Sequence, residues 1–231
     1  MELSKRLKFI ADHIDKCDSL IDVGTDHGYI PIYAVKNNLC NKAIASDINK
    51  GPVEKAKLNA SLDGVSSQVK VRLGGGLETV KKGEVEAVII AGMGGNLIIN
   101  ILEKDKEKLP LYKFMILQPA QNPEVLREYL YTKGYEIICE DLCQDEGIFY
   151  ELFKVRKNKE MKISIDPIFY EFSSVLLKER HPLIYSYLEC KEEKYKKILE
   201  LIKEESESSK IRRAEIIEKL KAIESFKKDV K

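Results

Sequence analysis

The chain has 231 residues, 44% apolar and 33% charged, with 39 Lys and Arg against 38 Asp and Glu. That length allows one full domain and a smaller appendage, and the apolar share supplies a globular core, which excludes wholesale disorder and collagen- or mucin-like classes. No apolar run approaches the ~18 residues of a membrane span, and residues 1–10 lack the apolar centre of a signal peptide, so a soluble cytoplasmic protein with no membrane partner is expected.

Helix and strand signals then alternate. Ser4 can cap a helix reaching about Asp15, with Leu7, Ile10, Ala11 and Ile14 at helical spacing. Strands are expected at Ser19–Val23, Ala43–Ser46, Val69–Leu73, Ala87–Ile90 and Phe114–Leu117. Between them, helical spacing runs over Gly28–Val35, Gly51–Leu62 and Asn96–Leu102, with Pro31 and Pro52 in first turns where a missing N–H costs little. Asn122-Pro123-Glu124 reads as a cap, a first-position proline and an acid complementing the helix dipole, opening a helix that reaches about Lys133 and stops at Gly134. Two extended runs, Tyr135–Glu140 and Ile148–Val155, close the series as an antiparallel pair. Five apolar strands alternating with helices imply a parallel sheet covered on both faces. The fold class is therefore α/β, a Rossmann-like sheet with an antiparallel last strand.

Ligands of such a sheet bind outside the carboxyl ends of its strands. Here those ends carry Gly24-Thr25-Asp26-His27, Asp47, Gly74-Gly75-Gly76, Gly92-Met93-Gly94-Gly95 and Gln118-Pro119. Gly24 lets the backbone turn sharply and approach a ligand closely. The loop is not G-x-G-x-x-G, and Asp26 between Gly24 and Gly28 would repel pyrophosphate, whereas it suits a cofactor bearing an ammonium and a sulfonium. Asp47 suits ribose hydroxyls in either kind of nucleoside site, and Ile48 can pack on an adenine face. Three glycines around Met93 leave backbone access for cofactor and target base, with Met93 an adaptable wall. The Gln118 amide can meet a base edge, stiffened by Pro119.

The charge is split along the chain. From Arg156 onward basic groups exceed acidic ones by four, leaving an acidic excess of three before it, so a boundary is expected there: 1–156 a catalytic domain, 157–231 an extension. In the extension Ile184, Leu188, Tyr195, Ile198 and Ile202 are close to heptad spacing with Lys191 as a gap. After a polar break at Glu205–Ser209 the pattern resumes with Ile216, Leu220 and Ile223, which predicts an antiparallel α-helical coiled-coil hairpin and a monomer. Five cysteines without a C-x-x-C, and three scattered histidines, point to reduced thiols and no metal.

The motifs D-V-G-T-D-H-G-Y-I-P, A-G-M-G-G and L-Q-P-A, with L-S-K-R-L near the start, resemble the bacterial tRNA (adenine(22)-N1)-methyltransferase family, TrmK, from about Leu3 to Phe153. Family members usually read S-D-H-A-Y-L-P where this chain has Thr25–Pro31, often carry Asn or Asp at Gly75, and usually end L-Q-P-N where this chain has Ala120. The resemblance implies S-adenosyl-L-methionine (SAM) as cofactor, held by Asp22, Gly24, Thr25, Asp26, His27, Asp47, Ile48, Gly75, Gly76, Ala91, Gly92 and Met93. It implies tRNA as partner, with Tyr29, Gly94, Gln118 and Pro119 at the base and Lys194, Lys197, Arg212 and Arg213 on phosphates. Adenine N1 lies on the Watson–Crick edge, so the base must be turned out of its stack, where Tyr29 or Met93 can cover it. Asp26 is the catalytic candidate, accepting from the N6 amine as the base becomes cationic; its other possible use is to hold the cofactor's amino group. Two further readings stay open: a SAM methyltransferase acting on another RNA, a protein or a small molecule, and a non-catalytic nucleotide-binding module whose coiled coil recruits a partner.

Overall fold

A computed structural model describes residues 2–161, 163–203 and 206–231. It divides into two compact units, one ending at Ser164 and one running from Ile165 to Lys231. The first opens with α1 (Lys5–Asp12), whose Ser4 cap accepts from the Leu7 N–H as expected. Then come β1 (Cys17–Val23), α2 (Tyr29–Lys36), β2 (Cys40–Asp47), α3 (Lys50–Leu62), β3 (Val69–Leu73), β4 (Ala87–Gly94) and α4 (Gly95–Lys104). β5 (Phe114–Gln121), α5 (Pro123–Thr132), β6 (Tyr135–Asp145) and β7 (Ile148–Lys157) complete the unit. The strands form one sheet in the order β3-β2-β1-β4-β5-β7-β6. β1 to β5 pair in parallel, and β7 runs antiparallel to both β5 and β6. This is the Rossmann-like sheet with an antiparallel last strand that the alternation and the closing hairpin implied.

Strand alternation divides the core in two. Leu20, Ala43, Ala45, Ile89 and Ile116 face a layer that includes Ile10 and Ala11 of α1, Ile32 of α2 and Ala56 of α3. Ile21, Ile44, Val88, Ile90, Met115 and Leu117 face Ile98 and Leu102 of α4 and Leu126 and Leu130 of α5. The same alternation puts Asp22, Asp47, Ala91 and Gln118 on the α1–α3 face, at the carboxyl ends of four neighbouring strands. A period-two pattern thus fixes both what is buried and which polar side chains meet.

Several boundaries differ from expectation. α1 stops at Asp12. β4 does not end at Ile90 but runs through the glycines to Gly94, because an irregular register pairs Met93 with Pro119 and Gly94 with Gln121. β5 is correspondingly longer. Gly95 must be glycine: a Cβ there would lie 2.3 Å from the Asn122 carbonyl oxygen. Asn122 precedes α5 as expected, but in a left-handed conformation and with no side-chain cap bond. The compact units divide at Ser164, later than the charge break, because the chain after β7 still bonds the first unit, Asn158 N–H to the Gly134 carbonyl and Ile163 N–H to the Tyr131 carbonyl.

Arg127 of α5 is buried and bonds Glu140 on β6 at 2.9 Å and Glu151 on β7, with its guanidinium over the Phe153 ring. The ion network clamps the β6–β7 hairpin to the helix. On the other face His13 bonds the Phe9 carbonyl at 2.8 Å and Asp141 of β6 at 3.0 Å, fixing the end of α1.

The second unit holds α6 (Ile168–Glu171) and α7 (Ser174–Lys178), two short helices not anticipated, and then α8 (Ile184–Leu201) and α9 (Glu207–Asp229). Ile184, Leu188, Tyr195, Ile216 and Ile223 are buried as the heptad pattern predicts, while Ile198, Ile202 and Leu220 are half-buried. Lys191 fills its gap by bonding the buried carboxylate of Glu171 at 2.7 Å, which Lys219 also reaches at 2.9 Å. Glu171 is held down at about 2: burial opposes this, and the two lysines outweigh it. α8 and α9 run antiparallel, since Arg213 meets Ile202 and Lys227 meets Glu189 and Glu192. The polar break is shorter than expected: Ser206 caps α9, which starts at Glu207, and the Glu205 end of that break lies outside the described residues.

Candidate active site

The carboxyl ends of β1, β2, β4 and β5 converge on a floor of mixed charge. Asp22, one residue before the end of β1, is buried, and burial pushes its carboxyl group up to about 6. A hydrogen bond with Thr25 and the charge of Arg6 pull it down, and Asp47 pushes it up. Asp47 at the end of β2 is half-buried and accepts the Asn49 N–H on Oδ1 at 2.7 Å. Thr25 is buried; its hydroxyl accepts the Gly28 N–H at 3.1 Å and folds the loop into the start of α2.

Gly24 has φ +78°, and a Cβ on it would lie 2.2 Å from Met93 Cε. The β1 loop and the β4 bulge therefore touch, backbone against a flexible methionine. Ile48 is 69% exposed, and its Cγ2 lies 2.9 Å from where a Gly75 Cβ would stand. The missing Cβ of Gly75 leaves room for this apolar side chain. Gly76 (φ +56°) stands instead against Ile101 of α4, and Ala91 is half-buried in β4.

Asp26 is 68% exposed in its side chain, with Oδ2 3.0 Å from His27 Nε2 and Oδ1 3.9 Å from Lys55 Nζ. The His27 ring stacks on Tyr29 with 5.0 Å between centroids, and its carbonyl accepts from Asn59 at 2.9 Å. Asp26, His27 and Tyr29 thus form one braced crest. Gly94 is half-buried in the β4 bulge.

Gln118 departs from expectation. It is wholly buried; Oε1 accepts from Arg6 Nη1 at 2.7 Å, and Nε2 donates to the Pro119 carbonyl at 2.8 Å. Its amide is occupied in holding Arg6 and is not offered to a base edge. Pro119 is also buried. Arg6 itself was missed: a basic residue in the first turn of an amphipathic helix reads as solvated surface, and only the L-S-K-R-L match pointed at it. Lys55 on α3 was missed for the same reason.

In the second unit Lys194, Lys197, Arg212 and Arg213 are all exposed. Arg213 donates to the Ile202 carbonyl at 2.7 Å, closing the end of α8, whereas Lys194, Lys197 and Arg212 have no partner among the described residues. Among the described residues no group of three or more His, Cys, Asp and Glu is disposed to hold a metal ion, and no helix is long and apolar enough to cross a membrane.

Sheet order, a glycine loop after β1, an acid at the end of β2 and a glycine bulge at the end of β4 define a Rossmann-type methyltransferase domain, and residues 3–153 match the methyltransferase-domain family. The tRNA (adenine(22)-N(1))-methyltransferase of Bacillus subtilis is 43% identical over 152 residues, 66% of this chain and 64% of that protein's length. The crystal structure of the B. subtilis M1A22 tRNA methyltransferase TrmK superposes with a TM-score of 0.87 at 33% identity, covering 98% of this chain and 99% of that one. M. capricolum TrmK in complex with S-adenosyl-homocysteine (SAH), its natural cofactor product, superposes at 0.84 and 30% identity over the whole of both chains. This chain belongs to the TrmK family.

Proposed function

We propose that this protein methylates N1 of adenine 22 in tRNA with SAM as donor, in the cytoplasm and as a monomer. The observation that carries the reading is the convergence of Asp22, Asp47 and the two glycine segments at the ends of adjacent parallel strands, in a chain that belongs to the TrmK family. The monomer is supported by the C-terminal hairpin, whose buried stripe is satisfied between its own helices.

The donor set fits the cofactor. Asp22 and Asp47 are two neighbouring acids, suited to an ammonium and a ribose diol, and Ile48 over Gly75 offers an apolar face for adenine. Gly24, Thr25 and His27 on one side, and Ala91, Gly92 and Met93 on the other, would wall the donor with backbone and one adaptable side chain. Bound SAM supplies a methyl group activated by its sulfonium. Adenine N1 carries its own in-plane lone pair, so the chain need supply no base to free the nucleophile; its work is alignment and charge stabilisation. Asp26, exposed on the crest, accepts from the N6 amine and offsets the positive charge that the base acquires. The burial of Asp22 favours it as the partner of the cofactor's ammonium instead. Tyr29, stacked on His27, and Met93 cover the everted base, beside the bare backbone of Gly94.

The test is incubation with methyl-labelled SAM and tRNA carrying adenine or guanine at position 22. Label is expected only in the adenine form, and Asp26→Ala should slow transfer roughly tenfold or more while SAH binds as before. Equal labelling of both tRNAs, or none in either, overturns the assignment. A wild-type rate for Asp26→Ala removes that residue from the chemistry.

A further inference from the structure

At the end of the sheet where β4 and β5 begin, away from the candidate active site, lies a cavity of about 740 Å³. Five lysines line it, brought from separate parts of the first unit. Lys82 comes from the loop before β4, Lys106 from the turn after α4, Lys133 from the end of α5, and Lys157 and Lys159 from the end of β7. The length of β5 sets the cavity roughly 20 Å from the rim where the acids and glycines converge.

Local structure fixes this grouping. Lys157 pairs with Tyr135 across the β6–β7 ladder, holds Nζ 4.0 Å from the centre of the Tyr135 ring and donates to the Lys133 carbonyl. Gly134 (φ +74°) follows α5, and a Cβ there would lie 3.1 Å from Lys159 Cα and 3.0 Å from the Asn158 carbonyl oxygen. Bare backbone at Gly134 therefore lets the chain beyond β7 close on the end of α5, and so places Lys159.

The charge gathered here is not neutralised. Elsewhere in this unit lysines find carboxylates, as Lys8 does with Asp12, Lys36 with Asp63, Lys104 with Glu78 and Lys113 with Glu86. Lys82, Lys106, Lys133 and Lys159 have no ion pair and no side-chain hydrogen bond among the described residues. Only two carboxylates share the lining, Glu103 and Glu107, against the five lysines. Glu103 is occupied in accepting from the Tyr129 hydroxyl at 2.7 Å. The negative ends of the α4 and α5 dipoles account for Lys106 and Lys133. They do not account for Lys82 and Lys159, which belong to neither helix. Like charges in one recess repel each other, and an anion placed among them removes that repulsion.

We propose that this cavity binds a ligand carrying a chain of phosphates, a free oligophosphate or a nucleoside triphosphate, at a site separate from methyl transfer. Ammonium groups spread around a recess act as point charges and suit several linked phosphates. The volume is that of a small-molecule site. Leu109 and Pro110, in the turn before β5, give an apolar patch on which a nucleoside can rest. A recess of this size admits a compact polyanion, whereas the broad backbone of a folded RNA can only cross its mouth. The proposal is independent of the methylation reading, since it uses no residue assigned to donor or base.

The test is calorimetry on the full-length protein, without magnesium, at fixed ionic strength and with SAH in excess so that a nucleoside pocket at the strand ends is filled. Inorganic triphosphate, ATP and adenosine are the probes. Triphosphate and ATP should bind and adenosine should not. Lys82→Gln combined with Lys106→Gln should weaken both phosphate ligands roughly tenfold or more. Removing two exposed lysines outside the cavity, Lys57→Gln with Lys70→Gln, should leave both bound as in the wild type. SAH affinity and melting temperature should not change in either variant, since all four side chains are exposed. Equal affinity for triphosphate and ATP gives the site to the free phosphate chain, and tighter ATP gives it to the nucleotide; both uphold the proposal. No heat from either with the wild type overturns it, and leaves the donor reading standing where SAH binds. An equal loss in the two variants reduces the effect to net charge and overturns it as well. So does a fall in tRNA affinity in the cavity variant without triphosphate binding to the wild type, which would give these lysines to an RNA backbone.

Discussion

At the residue scale, Asp22 is under opposed demands. Burial raises its carboxyl group to about 6, because the charged form is poorly solvated there, with Thr25 and Arg6 countering and Asp47 reinforcing. Its folded value lies above the ordinary carboxylate range, so its contribution to stability is complete below about pH 4 and is lost as pH rises through about 6. A cationic ligand reverses the preference, since an ammonium favours the ionised acid. SAH affinity should therefore fall as pH drops through about 6, and Asp22→Asn should bind weakly with that step flattened; calorimetry across this range reads both. A wild-type profile that stays level there would separate Asp22 from the ammonium. The acids at the strand ends were legible in the sequence because a parallel sheet presents its loops at one rim. The bonding of Gln118 was not, since its partner Arg6 lies 112 residues away.

At the element scale, strands and helices were legible wherever one chain segment decides its own pattern. Val69–Leu73 needed nothing from elsewhere, and its bounds match. The ends of β4 and β5 depend on each other: Gly92 to Gly95 read as a loop until Pro119 and Gln121 supply partners across the bulge. α6 and α7 are too short for helical periodicity to show. The β6–β7 hairpin was visible, but what anchors it was not, since a lone Arg127 in α5 reads as surface. That anchor reaches the site, because Asp145 at the hairpin end also bonds the Arg6 backbone. Removing the buried cation leaves Glu140 and Glu151 facing each other without it, so Arg127→Met should cost about 3–5 kcal/mol in denaturant unfolding. Replacing all three by apolar residues of similar volume should recover most of the loss. If the single variant unfolds like the wild type, the network does not clamp the hairpin.

At the scale of the whole molecule, charge divides a few residues before the structure does. The chain before Arg156 carries an acidic excess, and the basic excess falls in the segment after it. A polyanion is repelled by the first and drawn by the second. The C-terminal unit spends many of its cations internally: Lys191 and Lys219 on Glu171, Lys227 on Glu189 and Glu192, Arg213 on the end of α8. Lys194, Lys197 and Arg212 remain exposed and unpaired among the described residues, which leaves them free for phosphates. Replacing those three by alanine in the full-length protein should leave the melting temperature and SAH affinity unchanged, because exposed side chains contribute little to folding. tRNA affinity should fall roughly tenfold, and the slope of its logarithm against that of salt concentration should become shallower by about two, as three fewer counterions are released. Arg213→Ala serves as the contrast, since it loosens the end of α8 and should lower thermal stability. An unchanged slope for the triple variant would mean that these groups never meet the RNA backbone, and that the electrostatic work of binding is done by other lysines.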